Sequence, residues 1–348
     1  MVGSAAQVLG LNAWSRLGAT FRHRARTLLL SPASQTFSYR VYTVGWICAL
    51  SIEMAAAQAM LDEVHADLPA RRFDDNTYIL GRIGSHNIVI TCLPTGRYGA
   101  ISAATVATRM LSTFQSIRFG LMVGIGGGAP SRDIRLGDVV IGKPTGQSGG
   151  VLQCDVDFER TSTLNKPPGV LLNALSRIRA HHIINGNRIP HVLSEMLVAY
   201  PLMRNSIMPR EPDRLFRAEY EHSGPAGLCS QCDERYLIAR PQRSENSPQI
   251  HYGPIASATQ VVRSGTVRDR LAQRLGNLCF EMEAAGLMDD FPCLVIRGIS
   301  DYADSHKNDH WQGYAAVTAA AYAKELLSVI PPEEVENERI VSQLYPRL

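Results

Sequence analysis

Pro292 to Ser300 reads PCLVIRGIS, a short apolar and β-branched run closed by a proline at one end and a polar residue at the other. Such a run predicts a strand buried on both faces. The stretch Gly313 to Ile330 is long, rich in alanine and stopped by Pro331-Pro332, which predicts a helix. A buried strand feeding a long helix points to an α/β layer architecture. Asp301 then falls at the C-terminal end of the strand, the edge where ligands bind in open parallel α/β sheets. Upstream, Cys279-Phe280-Glu281-Met282-Glu283-Ala284-Ala285-Gly286 sets two more acids among apolar and small residues. Buried carboxylates are costly unless they are paired, hydrogen-bonded or protonated. Acids in such surroundings mark a site.

Glu281 and Glu283 share one face if the segment is extended and diverge if it opens a helix. A single carboxylate can accept both hydroxyls of a ribose cis-diol. Compensation of a helix dipole is the other reading, left open for Glu281. Thr43 to Leu50 reads as a first strand, and Ser51-Ile52-Glu53 opens an Ala-rich helix to about His65. Asn87 to Cys92 is a strand, followed by the loop Leu93-Pro94-Thr95-Gly96-Arg97-Tyr98-Gly99 and a helix starting near Ser102. Phe119 to Val123 is a buried strand that ends in Gly124-Ile125-Gly126-Gly127-Gly128-Ala129-Pro130. A dinucleotide fingerprint needs a helix directly after its glycines. Here Pro130-Ser131-Arg132-Asp133 and a further strand, Leu136 to Ile141, follow, so no such cofactor site is expected.

Phe280-Glu281-Met282-Glu283-Ala284-Ala285 together with Val295-Ile296-Arg297-Gly298-Ile299-Ser300-Asp301 resembles the nucleoside phosphorylase superfamily. The resemblance is closest to its methylthioadenosine/S-adenosylhomocysteine nucleosidase branch and to fungal versions of the domain. It runs from about Tyr42 to Ile330 with one long insertion. It implies a single α/β domain with a central twisted mixed β-sheet flanked by helices, plus a helical insertion. It also implies hydrolysis of the N-glycosidic bond of a purine nucleoside or a 5′-thio derivative. Asp301, kept protonated, would give a proton to purine N7, and Glu53 would orient and deprotonate water. Glu283 would hold the ribose hydroxyls, with Glu281 beside it and Met282 packed on the sugar. Gly126 and Gly127 would lie against purine and sugar, and Thr95 and Gly96 would approach the sugar. Ser257, on the strand His251 to Ala258, would line the purine, although Ala258-Thr259 stand where the family has a glycine and a polar residue. The chemistry requires no metal and no cofactor, and the nucleosidase branch implies a homodimer. Phosphorolysis is the alternative, with Arg97 as a phosphate ligand. Leu50-Ser51-Ile52-Glu53 replaces the phosphorylases' Gly-Asp-Pro element, and a carboxylate there repels phosphate. A non-catalytic nucleoside sensor is the remaining class.

The chain has 348 residues and is 45% hydrophobic, enough for a full core. Net charge is only +3, without a dense Lys/Arg tract, so nucleic acid is not an expected partner. No apolar run approaches the ~20 residues that span a bilayer. Residues 1–40 carry Arg16, Arg22, Arg24, Arg26 and Arg40 with no acid, which reads as a disordered tail or as a mitochondrial targeting segment. The expected domain covers 41–332, with an insertion at about 146–246 and a tail at 333–348. Seven cysteines point to reduced intracellular thiols, with Cys48, Cys92, Cys279 and Cys293 in the core. Within the insertion, helices are expected over Val170 to His181, Val192 to Tyr200 and Asp213 to Tyr220. Cys229-Ser230-Gln231-Cys232 is half of a zinc site, with His222 as a third ligand and His181, His182 or Cys154 as a fourth. Free surface thiols are the simpler reading.

Overall fold

The computed structural model describes residues 37–344 apart from 147, 155–159, 224–228 and 245–246. The segment bearing Arg16 to Arg26, and the targeting expectation attached to it, lie outside the described residues. The first half of the chain gives β1 (Val44–Cys48), α1 (Ser51–Ala59), β2 (Glu63–Val64), β3 (Tyr78–Ile83), β4 (His86–Cys92), α2 (Ala100–Thr113), β5 (Phe119–Gly128) and β6 (Val139–Gly142). Then come β7 (Val151–Cys154), β8 (Arg160–Thr163), α3 (Gly169–Asn185), α4 (Ile189–Ala199) and α5 (Arg204–Ile207). The last third gives β9 (Ile250–Gly253), β10 (Ile255–Ala258), α6 (Gly265–Leu275), β11 (Cys279–Glu281), β12 (Cys293–Asp301), α7 (Gln312–Ser328), α8 (Pro332–Asn337) and α9 (Val341–Leu344).

All twelve strands belong to one mixed sheet. β1 runs parallel to β4 and β5, and β12 runs parallel to β5. β11 meets β5 antiparallel, and β10 runs parallel to both β11 and β7. Alternate side chains of each central strand enter opposite cores, as a period of two requires. Leu294 and Ile296 pack on the side of α1, α3, α4 and α7, whereas Cys293, Val295 and Ile299 pack on the side of α2. That double burial is why PCLVIRGIS has no polar alternation.

β5 is the element that creates the site. Its first residues, through Met122, pair with β1, but Gly127 and Gly128 pair with β11. β1 and β11 therefore diverge along one edge of β5, leaving Val123 to Gly126 there without a neighbouring strand. A parallel sheet opens a crevice at such a switch point.

Several expected boundaries move. The glycine run, where the sequence places the end of the strand, is part of β5; as expected no helix follows it, only a 3-10 turn, Pro130–Arg132, and then β6. α1 ends at Ala59, because the Asp62 and His65 N–H groups bond to Arg82 O and Leu80 O, both at 2.8 Å. Asp213 to Tyr220 is not helical. Its backbone pairs across to another segment, Arg217 N–H to Tyr236 O at 2.9 Å and Ile238 N–H to Leu215 O at 2.8 Å. The strand His251 to Ala258 is broken between Gly253 and Ile255, where Pro254 offers no N–H. Within 146–246, β7 and β8 join the main sheet, and α3 and α4 add Leu171, Leu175, Ile178 and Leu193 to the core under α7. Beyond 332, α8 and α9 bury Val335 and Val341. Cys229 and Cys232 are buried, so they are not surface thiols. No described helix is long and apolar enough to cross a membrane.

Candidate active site

A cavity of about 310 Å³ lies over the divergence of β1 and β11, and Glu53, Glu283 and Asp301 all line it. They arrive from the first turn of α1, the turn after β11 and the end of β12. Met282, Gly126 and Gly127 also line it.

Glu53 fills the gap in the sheet. Its Oε1 accepts the Ile125 N–H at 2.8 Å, a donor that β1 no longer covers. Its Oε2 accepts Ala49 N–H at 2.7 Å and Leu50 N–H at 3.0 Å. Burial pushes this carboxyl above its usual range, and Arg297 and the three N–H donors offset that only in part. A Cβ on Gly124 would sit 2.5 Å from Glu53 Oε1 and 2.6 Å from Arg297 Nη1, so the side chains approach across bare backbone.

Arg297 is wholly buried on β12. Its Nη2 donates to Glu281 Oε2 and lies 3.6 Å from Glu283 Oε2. Glu281 also accepts the Ala284 N–H at 2.9 Å and the Glu283 N–H at 3.1 Å. Its oxygens thus close the 3-10 turn Ala284–Gly286 and hold the guanidinium. Glu283 is left with fewer partners. Gly99 N–H reaches its Oε1 at 3.4 Å, and burial, with Glu281 and Glu53 nearby, pushes it up to about 7 against the pull of Arg297.

Asp301 is held by donors. Ala303 N–H reaches Oδ1 at 2.9 Å, while Ser300 Oγ and Lys307 Nζ reach Oδ2 at 2.9 and 2.7 Å. A Cβ on Gly127 would lie 2.8 Å from Asp301 Oδ1, which explains glycine at that position. Thr95 and Gly96 are exposed and outside the cavity lining, whereas Tyr98 of the same loop lines it. Arg97 is exposed as well. Ser257 is buried beside the site, with its Oγ accepting the Ala285 N–H at 3.0 Å. Sequence reasoning assigned no role to Arg297 or Lys307. A lone arginine inside an apolar strand was the available signal for the first, since a buried cation demands anions.

The sequence profile described as "Phosphorylase superfamily" matches residues 43–330. A "Nucleotide-binding leucine-rich repeat (NLR)-like protein" of Hyaloscypha variabilis is 45% identical over 314 residues, covering 88% of this chain but only 31% of its own length. A "5′-methylthioadenosine/S-adenosylhomocysteine nucleosidase" of Mycobacterium bovis is 24% identical over 83% of this chain and 97% of its own. "ATP nucleosidase Cap17" of Escherichia coli is 35% identical over 79 residues, 21% of this chain and 16% of its own. Among solved structures, the Helicobacter pylori 5′-methylthioadenosine/S-adenosylhomocysteine nucleosidase superposes with a TM-score of 0.52 at 17% identity, covering 83% of this chain and 99% of that one. The mixed sheet, its flanking helices and the span of the profile agree: the chain belongs to the phosphorylase superfamily.

Proposed function

We propose that the chain hydrolyses the N-glycosidic bond of a purine nucleoside, releasing the free base. The observation that carries this reading is the convergence of Glu53, Glu283 and Asp301 on one cavity. Cleavage passes through an oxocarbenium-like sugar, and preplaced carboxylates stabilise that positive charge. Glu53, its basicity raised by burial, takes the proton from the attacking water. Glu283 accepts the ribose hydroxyls, and Met282 packs on the sugar. Asp301, with the Lys307 Nζ 2.7 Å from its Oδ2, delivers a proton to N7 as the C1′–N9 bond breaks. Glu281 acts as a positioning residue through Arg297 and the Ala284 turn.

Phosphorolysis fits less well. A buried carboxylate at the nucleophile position repels phosphate, and Arg97 stands outside the cavity. We place the activity inside a cell, since all seven cysteines are free thiols, and in a homodimer, which light scattering measures.

One observation favours a second reading of the substrate's 5′ end. Lys307 also lines an adjoining cavity of about 720 Å³ that carries Arg210, Arg263 and His310 together with Asp304, which is paired to Arg268, and Asp309. Such a lining suits phosphate groups, and the Cap17 relative is named for ATP. The test is release of free base from adenosine, inosine, guanosine, methylthioadenosine, AMP and ATP, with and without inorganic phosphate. Release independent of phosphate supports hydrolysis, and release only with phosphate refutes it. Tight binding without release assigns the chain to the sensor class. A higher kcat/KM for ATP than for adenosine supports the phosphorylated substrate. Methylthioadenosine turned over faster than either nucleotide refutes it.

A further inference from the structure

The described residues between Met208 and Gln249 lie outside the two main cores. Among its described residues the only helical elements are the 3-10 turns Cys229–Gln231 and Glu234–Tyr236. Its own apolar cluster is small: Phe216, Cys229 and Cys232, with Tyr220 and Leu237 against them. Burial on that scale holds a segment poorly without a staple.

One ligand atom each from His222, Cys229 and Cys232 lies within 4.8 Å of the others. Cys229 and Cys232 are 4% and 7% exposed. The turn between them is closed by Cys232 N–H to Cys229 O at 3.2 Å, and the Cys229 Sγ lies 4.0 Å from the His306 carbonyl oxygen. A second observation comes from another part of the chain. His306 is 7% exposed; neither ring nitrogen makes a hydrogen bond, and its Nδ1 stands 3.6 Å from Asp304 Oδ1. Its ring stacks on Phe216 at 4.2 Å and stands 5.5 Å from the ring of His222. A buried polar group without a partner is costly, and a metal bond removes that cost. The fourth ligands expected from sequence are elsewhere. His182 pairs with Glu325 at 2.9 Å, with His181 beside it, in a separate cluster.

We propose that His222, Cys229 and Cys232 bind a structural zinc ion and that His306, outside their 4.8 Å cluster, turns in to complete the set. Two thiolates and two neutral imidazoles form a tetrahedral set suited to Zn²⁺, and both cysteines release their protons on binding. The metal ties the inserted segment to the loop that follows Asp301. His222 N–H already donates to Ser305 Oγ at 2.8 Å, and the residue after His306 is Lys307, whose ammonium lies on Asp301. The ion takes no part in bond cleavage; it fixes the loop.

The test uses the full chain, purified without a polyhistidine tag from zinc-supplemented medium. Elemental analysis is expected to find about one zinc per chain. Cobalt substitution is expected to give the visible bands of a tetrahedral thiolate site. Chelation is expected to lower Tm and added zinc to restore it. Cys232→Ser is expected to lose the metal. Because that variant can fail to fold, His306→Asn provides the second arm: it is expected to keep cobalt but shift its visible bands. Unchanged bands in His306→Asn overturn the fourth ligand. Metal-free protein with a Tm indifferent to chelator and zinc overturns the site, as does a Cys229–Cys232 disulfide found by mass spectrometry of protein alkylated on isolation.

Discussion

Arg297 is, among the described residues, the one guanidinium amid the buried carboxylates of Glu53, Glu281 and Glu283, and those acids differ in what their oxygens do. Glu281 is saturated by Arg297 and two backbone N–H groups, while Glu53 is fixed by three N–H donors yet still faces the cavity. Glu53→Gln removes the base and, because an amide nitrogen cannot accept, gives up at least one of the three N–H bonds. Turnover is expected to fall by about 10²–10⁴-fold with KM nearly unchanged, measured as free base released under saturating substrate. A fall of less than tenfold would remove Glu53 from the chemistry. Asp301→Asn is expected to act alike, with its far-UV circular dichroism unchanged. Arg297→Met removes the shared cation and leaves buried acids without it, a loss expected to cost about 3–5 kcal/mol in urea unfolding. A smaller loss would mean that the acids protonate or rehydrate at little cost. At this scale the sequence disclosed the acids, because carboxylates among apolar residues are conspicuous. It hid the cations. Arg297 sits sixteen residues from Glu281, a contact visible only once β12 and β11 are folded, and Lys307 looked like one polar residue among several.

β12 and α7 pack backbone against backbone at Gly298 and Ala315, which only small residues permit. A Cβ on Gly298 would meet Ala315 O at 1.9 Å, and Ala315, Ala316, Ala319 and Ala320 of α7 are all buried. Gly298→Ala must push α7 off the strand or bend β12 near Asp301. It is expected to cost about 1–3 kcal/mol, with Tm lowered and turnover reduced together. A full-strength Tm would show that the helix can slide freely. This element pair was legible because its signals are local: a β-branched run, an alanine-rich run and a double proline. β5 was legible only to Val123. Its glycines read as a turn, but they continue the strand because β11 and β12 pair with them, a non-local gain that outweighs the poor strand propensity of glycine. Asp213 to Tyr220 failed for the same reason, with its backbone partners lying some twenty residues away at Tyr236 and Ile238.

For the molecule as a whole, a site built of buried acids sets the pH dependence of the fold. Glu283 rises from 4.5 to about 7 on folding, and Glu53 shifts in the same direction. Between those values the native chain holds a proton that the unfolded chain has released. Stability therefore falls as pH rises through this window, and the loss from Glu283 is complete above about 7. Burial lowers His65 and His86, which works the other way below about pH 6.5, so the Glu283 contribution is read by difference: the Tm of Glu283→Gln relative to the parent chain is expected to rise from pH 5 to pH 8 and to exceed it at pH 8. Identical slopes would show that Glu283 titrates as it does in the unfolded chain. The same charge that weakens the empty fold favours a cationic occupant. A sugar mimic with a protonated ring nitrogen should therefore raise Tm more at pH 8 than at pH 5.5, since only the higher pH presents the full set of carboxylates. A neutral nucleoside should show no such pH trend. An equal Tm shift for the cation at both pH values would mean that its charge is not what the cavity recognises, and the electrostatic argument for glycosidic cleavage would fall with it.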